Sequence, residues 1–176
     1  MAFSSTVTTR ARLPSRSTPS ITGAAPLVWG RAVGWYYLSL AETIEAFPKS
    51  HEGRSSLVEC FVTLSQGLKE ANELHDGWWL AMRQPYLGAE GNYMESSADA
   101  MFVYELLHGM RTGLLPEAEY GELADRSFWA MMESFVSDKK DGTLDLEETV
   151  EIGSLSSIGT YEVSNEQGSI DTTLGH

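Results

Sequence analysis

The sequence predicts an all-α fold, with about two helical hairpins forming a partial (α/α) toroid between disordered N-terminal and C-terminal segments. Three observations predict it. Apolar residues recur at spacings of three and four in four successive stretches. Asp-Gly turns follow the second and the fourth stretch. The third, Ser96 to Gly113, is apolar on nearly every side, as suits a helix of an inner ring.

Residues 1–25 are rich in Ser, Thr and Arg, contain Pro14 and Pro19, and show no apolar period, so this leader is expected to be disordered. The same composition fits a mitochondrial transit peptide or a misplaced gene start, and the apolar core of a secretory signal is absent from it. The first helix is expected over Gly34 to Phe47, with Tyr37, Ala41 and Ile44 on one face and Pro48 as its stop. The second runs from about Ser55 to Leu74. Its apolar stripe is Leu57, Cys60, Phe61, Leu64, Leu68 and Ala71, which makes the single cysteine a core residue. The third carries Ala98, Met101, Phe102, Val103, Tyr104, Leu106, Leu107 and Met110 and has to be surrounded by other helices. The fourth spans Glu117 to about Val136, with Tyr120, Ala124, Phe128, Met131 and Phe135 as its buried face. Asp76-Gly77 and Asp141-Gly142 read as turns into short extended segments. From Glu151 on, the chain is Gly- and Ser-rich without period, and residues 163–176 are expected to form an irregular tail. A closed toroid needs more hairpins than residues 26–162 supply.

The charge pattern excludes one class of partner. All 25 acids lie from Glu42 onward, and the net charge of −13 argues against nucleic acid, which needs clustered Lys and Arg. No stretch approaches the apolar length of a membrane span. One cysteine rules out an internal disulfide framework.

Trp29-Gly30-Arg31-Ala32-Val33-Gly34-Trp35 is the first stretch with chemical potential. Indole faces stack on a sugar ring, and a guanidinium fork holds a carboxylate bidentately, so the motif suits an anionic sugar. A plain helix start, with Trp on the core and Arg at the surface, fits it equally. Asp76-Gly77-Trp78-Trp79 and Asn92-Tyr93-Met94-Glu95-Ser96-Ser97 flank a long connection. Their aromatic residues suit either a carbohydrate site or the plug of a hairpin end, and Glu95 with Ser96 suits a helix cap. Around Asp141-Gly142 the chain superficially resembles a calcium loop. Ser137 and Lys139 fall at its first and third ligand positions, which argues against that reading. His51 and His108 have no second ligand at metal spacing.

Taken together these segments resemble glycoside hydrolase family 105, the unsaturated rhamnogalacturonyl hydrolases. The motifs are Trp29-Gly30-Arg31 with Gly34-Trp35, Asp76-Gly77-Trp78-Trp79, Gly91 to Ala98 followed by Ala100-Met101-Phe102-Val103-Tyr104, and Gly153-Ser154-Leu155 with Gly159-Thr160-Tyr161-Glu162. The resemblance covers about residues 26–162 and implies part of a six-hairpin (α/α) barrel that needs no cofactor or metal. It implies an unsaturated pectin oligosaccharide as partner and Trp29, Arg31 and Trp35 as substrate-binding residues. In that family an aspartate protonates the double bond of a 4,5-unsaturated galacturonyl group and water adds across it. The matching aspartate lies well before the Trp-Gly-Arg motif. No Asp precedes Asp76 here, so no catalytic residue is assigned and the chain is expected to be a C-terminal piece, inactive by itself. Asp99 departs from the family pattern, where a small or hydroxyl residue is usual. A glucuronyl-hydrolase relative and a non-catalytic helical-repeat binding module are the alternatives.

Overall fold

A computed structural model of the chain describes residues 27–72, 76–150 and the strand 169–174. Four helices follow in order, α1 (Gly30–Ala46), α2 (Arg54–Asn72), α3 (Ser96–Arg111) and α4 (Glu117–Phe135). Three strands come after them, β1 (Val136–Asp138), β2 (Leu144–Val150) and β3 (Ser169–Leu174). The helical hairpins are as the periodicity predicts, and the strands add a small sheet to the expected all-α fold. The expected disorder of residues 1–25 and the Gly153 to Glu162 motif lie outside the described residues.

Local chemistry sets the helix ends. Phe47 takes an extended backbone, as the residue before a proline must, and its N–H closes on the Thr43 carbonyl. At the end of α3, Gly113 adopts φ +74, the left-handed region where a side chain would be strained, and Leu114 N–H returns to the Gly109 carbonyl. Pro116 caps α4, and Glu117 and Glu119 sit in its first turn, where the helix dipole favours negative charge.

The core lies between the helices. Tyr37 of α1 stacks on Phe61 of α2 with centroids 4.6 Å apart, and Trp78 meets Phe102 of α3 edge-on at 5.1 Å. Two polar contacts are buried with them. The Tyr37 and Ser65 hydroxyls are 2.6 Å apart, and Asn72 donates to the Ser127 hydroxyl at 3.1 Å while accepting from Arg126. The Trp78 indole N–H donates to the Leu68 carbonyl at 2.8 Å, so this residue plugs the hairpin end.

Several expectations are corrected. Helix α1 begins at Gly30, four residues early, because the Gly30 N–H finds a tertiary acceptor in the Leu80 carbonyl. Cys60 is exposed: the buried stripe of α2 is Phe61, Leu64, Ser65, Leu68 and Asn72, and Cys60 sits one residue, or about 100°, off it. On α4 the buried face is Tyr120, Leu123, Ala124, Ser127 and Phe135, leaving Phe128 and Met131 only half-buried. Helix α3 packs on α1 and α4 but is not enclosed, since Tyr104 is 55% and Leu107 47% exposed. The 163–176 tail is not wholly irregular. Residues 169–174 form β3, which pairs antiparallel with β2 because β1 leaves the other edge of β2 open to backbone hydrogen bonding. The strand order is β1-β2-β3, and the Asp141-Gly142 turn links β1 to β2.

Two helical glycines should respond oppositely to alanine. A Cβ on Gly109 would stand 2.9 Å from both the Leu115 Cδ1 and the Phe61 Cε1. Gly109→Ala should therefore cost about 1–3 kcal/mol despite alanine's helix propensity. A Cβ on Gly121 meets only the Glu117 Cγ at 3.5 Å, and Gly121→Ala should stabilise by about 0.5–1 kcal/mol. Urea denaturation of both variants checks the pair, and equal signs would contradict the packing described.

Candidate functional site

The three motif-bearing segments converge at one end of the fold. Helices α1 and α3 both begin there, and the connection between α2 and α3 ties them together. Gly30 N–H donates to the Leu80 carbonyl at 2.7 Å, Met82 N–H to the Val28 carbonyl at 2.9 Å, and Leu80 N–H to the Tyr93 carbonyl at 2.8 Å. The backbones pack tightly at position 30, where a Cβ would lie 3.0 Å from the Trp79 carbonyl oxygen. Asn92 pins the loop by donating to the Ala81 and Tyr86 carbonyls and accepting from the Ala81 N–H.

Of the residues singled out by sequence, Trp29 is the N-cap of α1 and half-buried, and it pairs by backbone with Ala81. Arg31 and Trp35 are four residues apart on α1 and so share a face; Trp35 is 59% exposed. The structure thus puts all three within seven residues at one helix end, Trp29 as the cap and Arg31 and Trp35 in the helix. Arg31 is not a surface side chain. Its Nε donates to the Ser97 hydroxyl at 2.9 Å and its Nη1 to the Val150 carbonyl at 2.5 Å. These bonds use part of the fork expected to hold a carboxylate, and its other N–H groups have no partner among the described residues.

Glu95 is the residue whose tertiary role sequence reasoning missed, having read it only as a helix cap. It is fully buried at the N-terminus of α3. Its carboxylate accepts from the Ala98 N–H at 2.8 Å, the Ser97 N–H at 3.3 Å, the Ser97 hydroxyl at 2.8 Å and the Val150 N–H at 3.1 Å. The Ser96 and Thr149 hydroxyls, 2.7 Å apart, add a second tie between α3 and β2. Beside them Glu148 adopts φ +54 at the irregularity of β2, a strained conformation of the kind that gathers at sites. Burial pushes the Tyr93 phenol well above its usual range, the charges of Glu95 and Glu148 add to the shift, and Arg31 opposes it.

Asp99, the departure from the family pattern, lies behind this cluster. It is buried and accepts from the Trp78 N–H at 2.9 Å, and the Gly77 backbone approaches so closely that a Cβ there would be 2.6 Å from its Oδ2. Burial raises its carboxyl well above the usual range; the Trp78 hydrogen bond opposes the shift and Glu95 adds to it. Farther along α3, burial pushes Glu105 up to about 7, with Glu42 adding to the shift, Arg111 opposing it and Glu45 adding again. No three His, Cys, Asp or Glu side chains among the described residues are placed to hold a metal, and no described helix is long and apolar enough to cross a membrane. A groove of about 490 Å³ lies between α3 and α4, lined by Leu107, Met110, Gly121, Ala124 and Phe128 among others, away from these motifs.

The sequence model of Glycosyl Hydrolase Family 88 matches residues 11–168. The 24.9 kDa protein in the picA locus of Rhizobium radiobacter is 32% identical over 155 residues, covering 86% of this chain and 64% of that protein. The unsaturated 3S-rhamnoglycuronyl hydrolase of Alteromonas sp. (strain LOR) is 23% identical over 120 residues, covering 64% of this chain and 27% of the enzyme. The family 105 glycoside hydrolase of C. acetobutylicum ATCC 824 superposes with a TM-score of 0.82 and 29% identity, over 90% of this chain and 44% of that one. The chain therefore spans less than two thirds of the length of each.

Asp99 and Glu105 hold their protons more tightly in the folded chain than in the unfolded one. Their cost is absent at low pH and grows as pH rises, for Glu105 from about 4.5 through about 7. Asp99→Asn keeps an acceptor for the Trp78 N–H and removes the cost, as does Glu105→Gln. Each should raise the melting temperature more at pH 7.5 than at pH 4. A gain independent of pH would exclude this origin.

Proposed function

The chain belongs to Glycosyl Hydrolase Family 88, and from that membership we propose that it carries the uronate-binding part of a hydrolase acting on 4,5-unsaturated galacturonyl residues of rhamnogalacturonan oligosaccharides. The observation that carries this reading is the setting of Arg31. A cation fixed at the joined ends of α1, α3 and β2 gives this acidic protein a local counter-charge for a sugar carboxylate. Trp35, exposed one turn along the same face, offers an indole surface to the ring, and Trp29 borders it at the cap. The Alteromonas relative, an unsaturated rhamnoglycuronyl hydrolase, supports an unsaturated uronate as the substrate class. It also favours a second reading, an unsaturated glycuronyl hydrolase acting on a polysaccharide other than rhamnogalacturonan.

Turnover requires a proton donor within hydrogen-bonding reach of the sugar double bond. In the family that the motifs resemble, this donor is an aspartate ahead of the Trp-Gly-Arg motif, and here no Asp precedes Asp76. Residues 1–176 therefore bind but do not hydrate the unsaturated sugar in this reading. Trp29, Arg31 and Trp35 supply binding and orientation.

Calorimetric titration with the unsaturated galacturonyl-rhamnose disaccharide tests the binding. Affinity should fall with added salt, and Arg31→Ala should weaken it by about tenfold or more, the worth of a charged hydrogen bond. Unchanged affinity in Arg31→Ala sinks the reading. In the same samples the ultraviolet absorbance of the unsaturated uronate should persist. Its loss, abolished by Asp76→Asn or Asp99→Asn, would place the proton donor within this chain.

A further inference from the structure

Arg31 belongs to α1, yet both groups that hold it are themselves held by one buried side chain of another segment. The Ser97 hydroxyl that accepts from Arg31 Nε lies 2.8 Å from each Glu95 carboxylate oxygen. Val150, whose carbonyl accepts from Arg31 Nη1, gives its own N–H to Glu95 at 3.1 Å. The four residues form a closed ring of hydrogen bonds joining α1, the N-terminus of α3 and the end of β2. We propose that Glu95 is a positioning residue: it sets the Ser97 hydroxyl and the Val150 carbonyl, and through them the direction in which the Arg31 guanidinium meets a uronate carboxylate.

The proposal rests on the reading of Arg31 as the uronate contact. Donor and acceptor roles around the ring allow little else. The Ser97 hydroxyl has one proton, and the two carboxylate oxygens beside it can only accept, so that proton points at Glu95. A lone pair of the same oxygen is thereby turned to Arg31 Nε. Glu95→Gln sets an amide NH2 against the Ala98 N–H if it takes the place of Oε2, or against the Ser97 and Val150 N–H groups if it takes that of Oε1; all of these are donors, and the ring loses its fixed sense. Ser97→Ala removes the acceptor of Nε and leaves the cap of α3 on Glu95.

The test compares two probes, the unsaturated galacturonyl-rhamnose disaccharide and its uronate methyl ester, by calorimetry on the full chain. The native chain should prefer the free acid, because the ester carries no charge for Arg31. Glu95→Gln and Ser97→Ala should each weaken the acid by about tenfold and leave the ester within about twofold, so the preference collapses as it does in Arg31→Ala. Ser97→Thr, which keeps the hydroxyl, should restore it. A merely structural role would weaken acid and ester in parallel, and that result overturns the proposal. If Glu95→Gln does not fold, Ser97→Ala alone decides, since an acid preference unchanged in that variant also overturns it. Loss of preference in Arg31→Ala with none in Ser97→Ala rejects the positioning role alone. Preference unchanged in Arg31→Ala rejects the binding reading as well.

Discussion

A carboxylate removed from water has to be surrounded by donors, and the site end of this fold is arranged around that requirement at Glu95. The first turn of α3 supplies the Ser97 and Ala98 N–H groups, which an α-helix leaves without internal partners. The end of β2 supplies the Val150 N–H from 55 residues away. One buried charge thus caps a helix, favours its dipole, and fastens the strand segment to the helical body. Each contact alone is a modest hydrogen bond. Leaving any of these donors buried without the acceptor costs more than the bond contributes, which is why the three parts stay in register.

Around that point the helices supply a rigid frame. Tyr37, Phe61, Trp78 and Phe102 form one aromatic cluster spanning α1, α2, the turn before α3 and α3 itself. Trp78 joins the frame to the site: its ring lies in the core and its N–H is taken by Asp99. The Asp76-Gly77 turn therefore cannot move independently of α3. Arg126 reinforces it from α4, pairing with Asp76 at 3.0 Å and bonding Asn72.

Membership of a glycoside hydrolase family and the toroid-like packing of α1 and α3 fit one another. In such a toroid, helices that begin at the same end gather their first turns, where backbone N–H groups and capping side chains are concentrated. Here those first turns carry Arg31, Glu95 and Ser97. Away from these turns Tyr104, Leu107 and Trp129 are exposed, and the α3–α4 groove mixes Leu107, Met110 and Phe128 with the charged Arg111, Glu117 and Asp125. The buried Glu105 carboxyl lies along α3, away from the first turns, so its titration bears on stability and not on the proposed site.

The four helices were legible because a helix writes itself locally: the spacing of Tyr37, Ala41 and Ile44, or of Phe61, Leu64 and Leu68, marks a face before any partner is known. Pro48 and Gly113 fix the ends of α1 and α3 by backbone sterics alone. The family, too, was legible, because its motifs are short and ordered along the chain. Tertiary structure alone decided the rest. Periodicity cannot tell a stripe from its neighbour 100° away, so Cys60 was placed inside and Ser65 and Asn72 were not. A Trp in a loop carries the same letters whether it stacks on a sugar or fills a core, and only the Leu68 carbonyl and Phe102 assign Trp78 to the core. Arg31 shows the limit most clearly. Its charge and neighbours suggested a carboxylate ligand, but the acceptors that orient it lie 66 and 119 residues away, a separation no local pattern encodes.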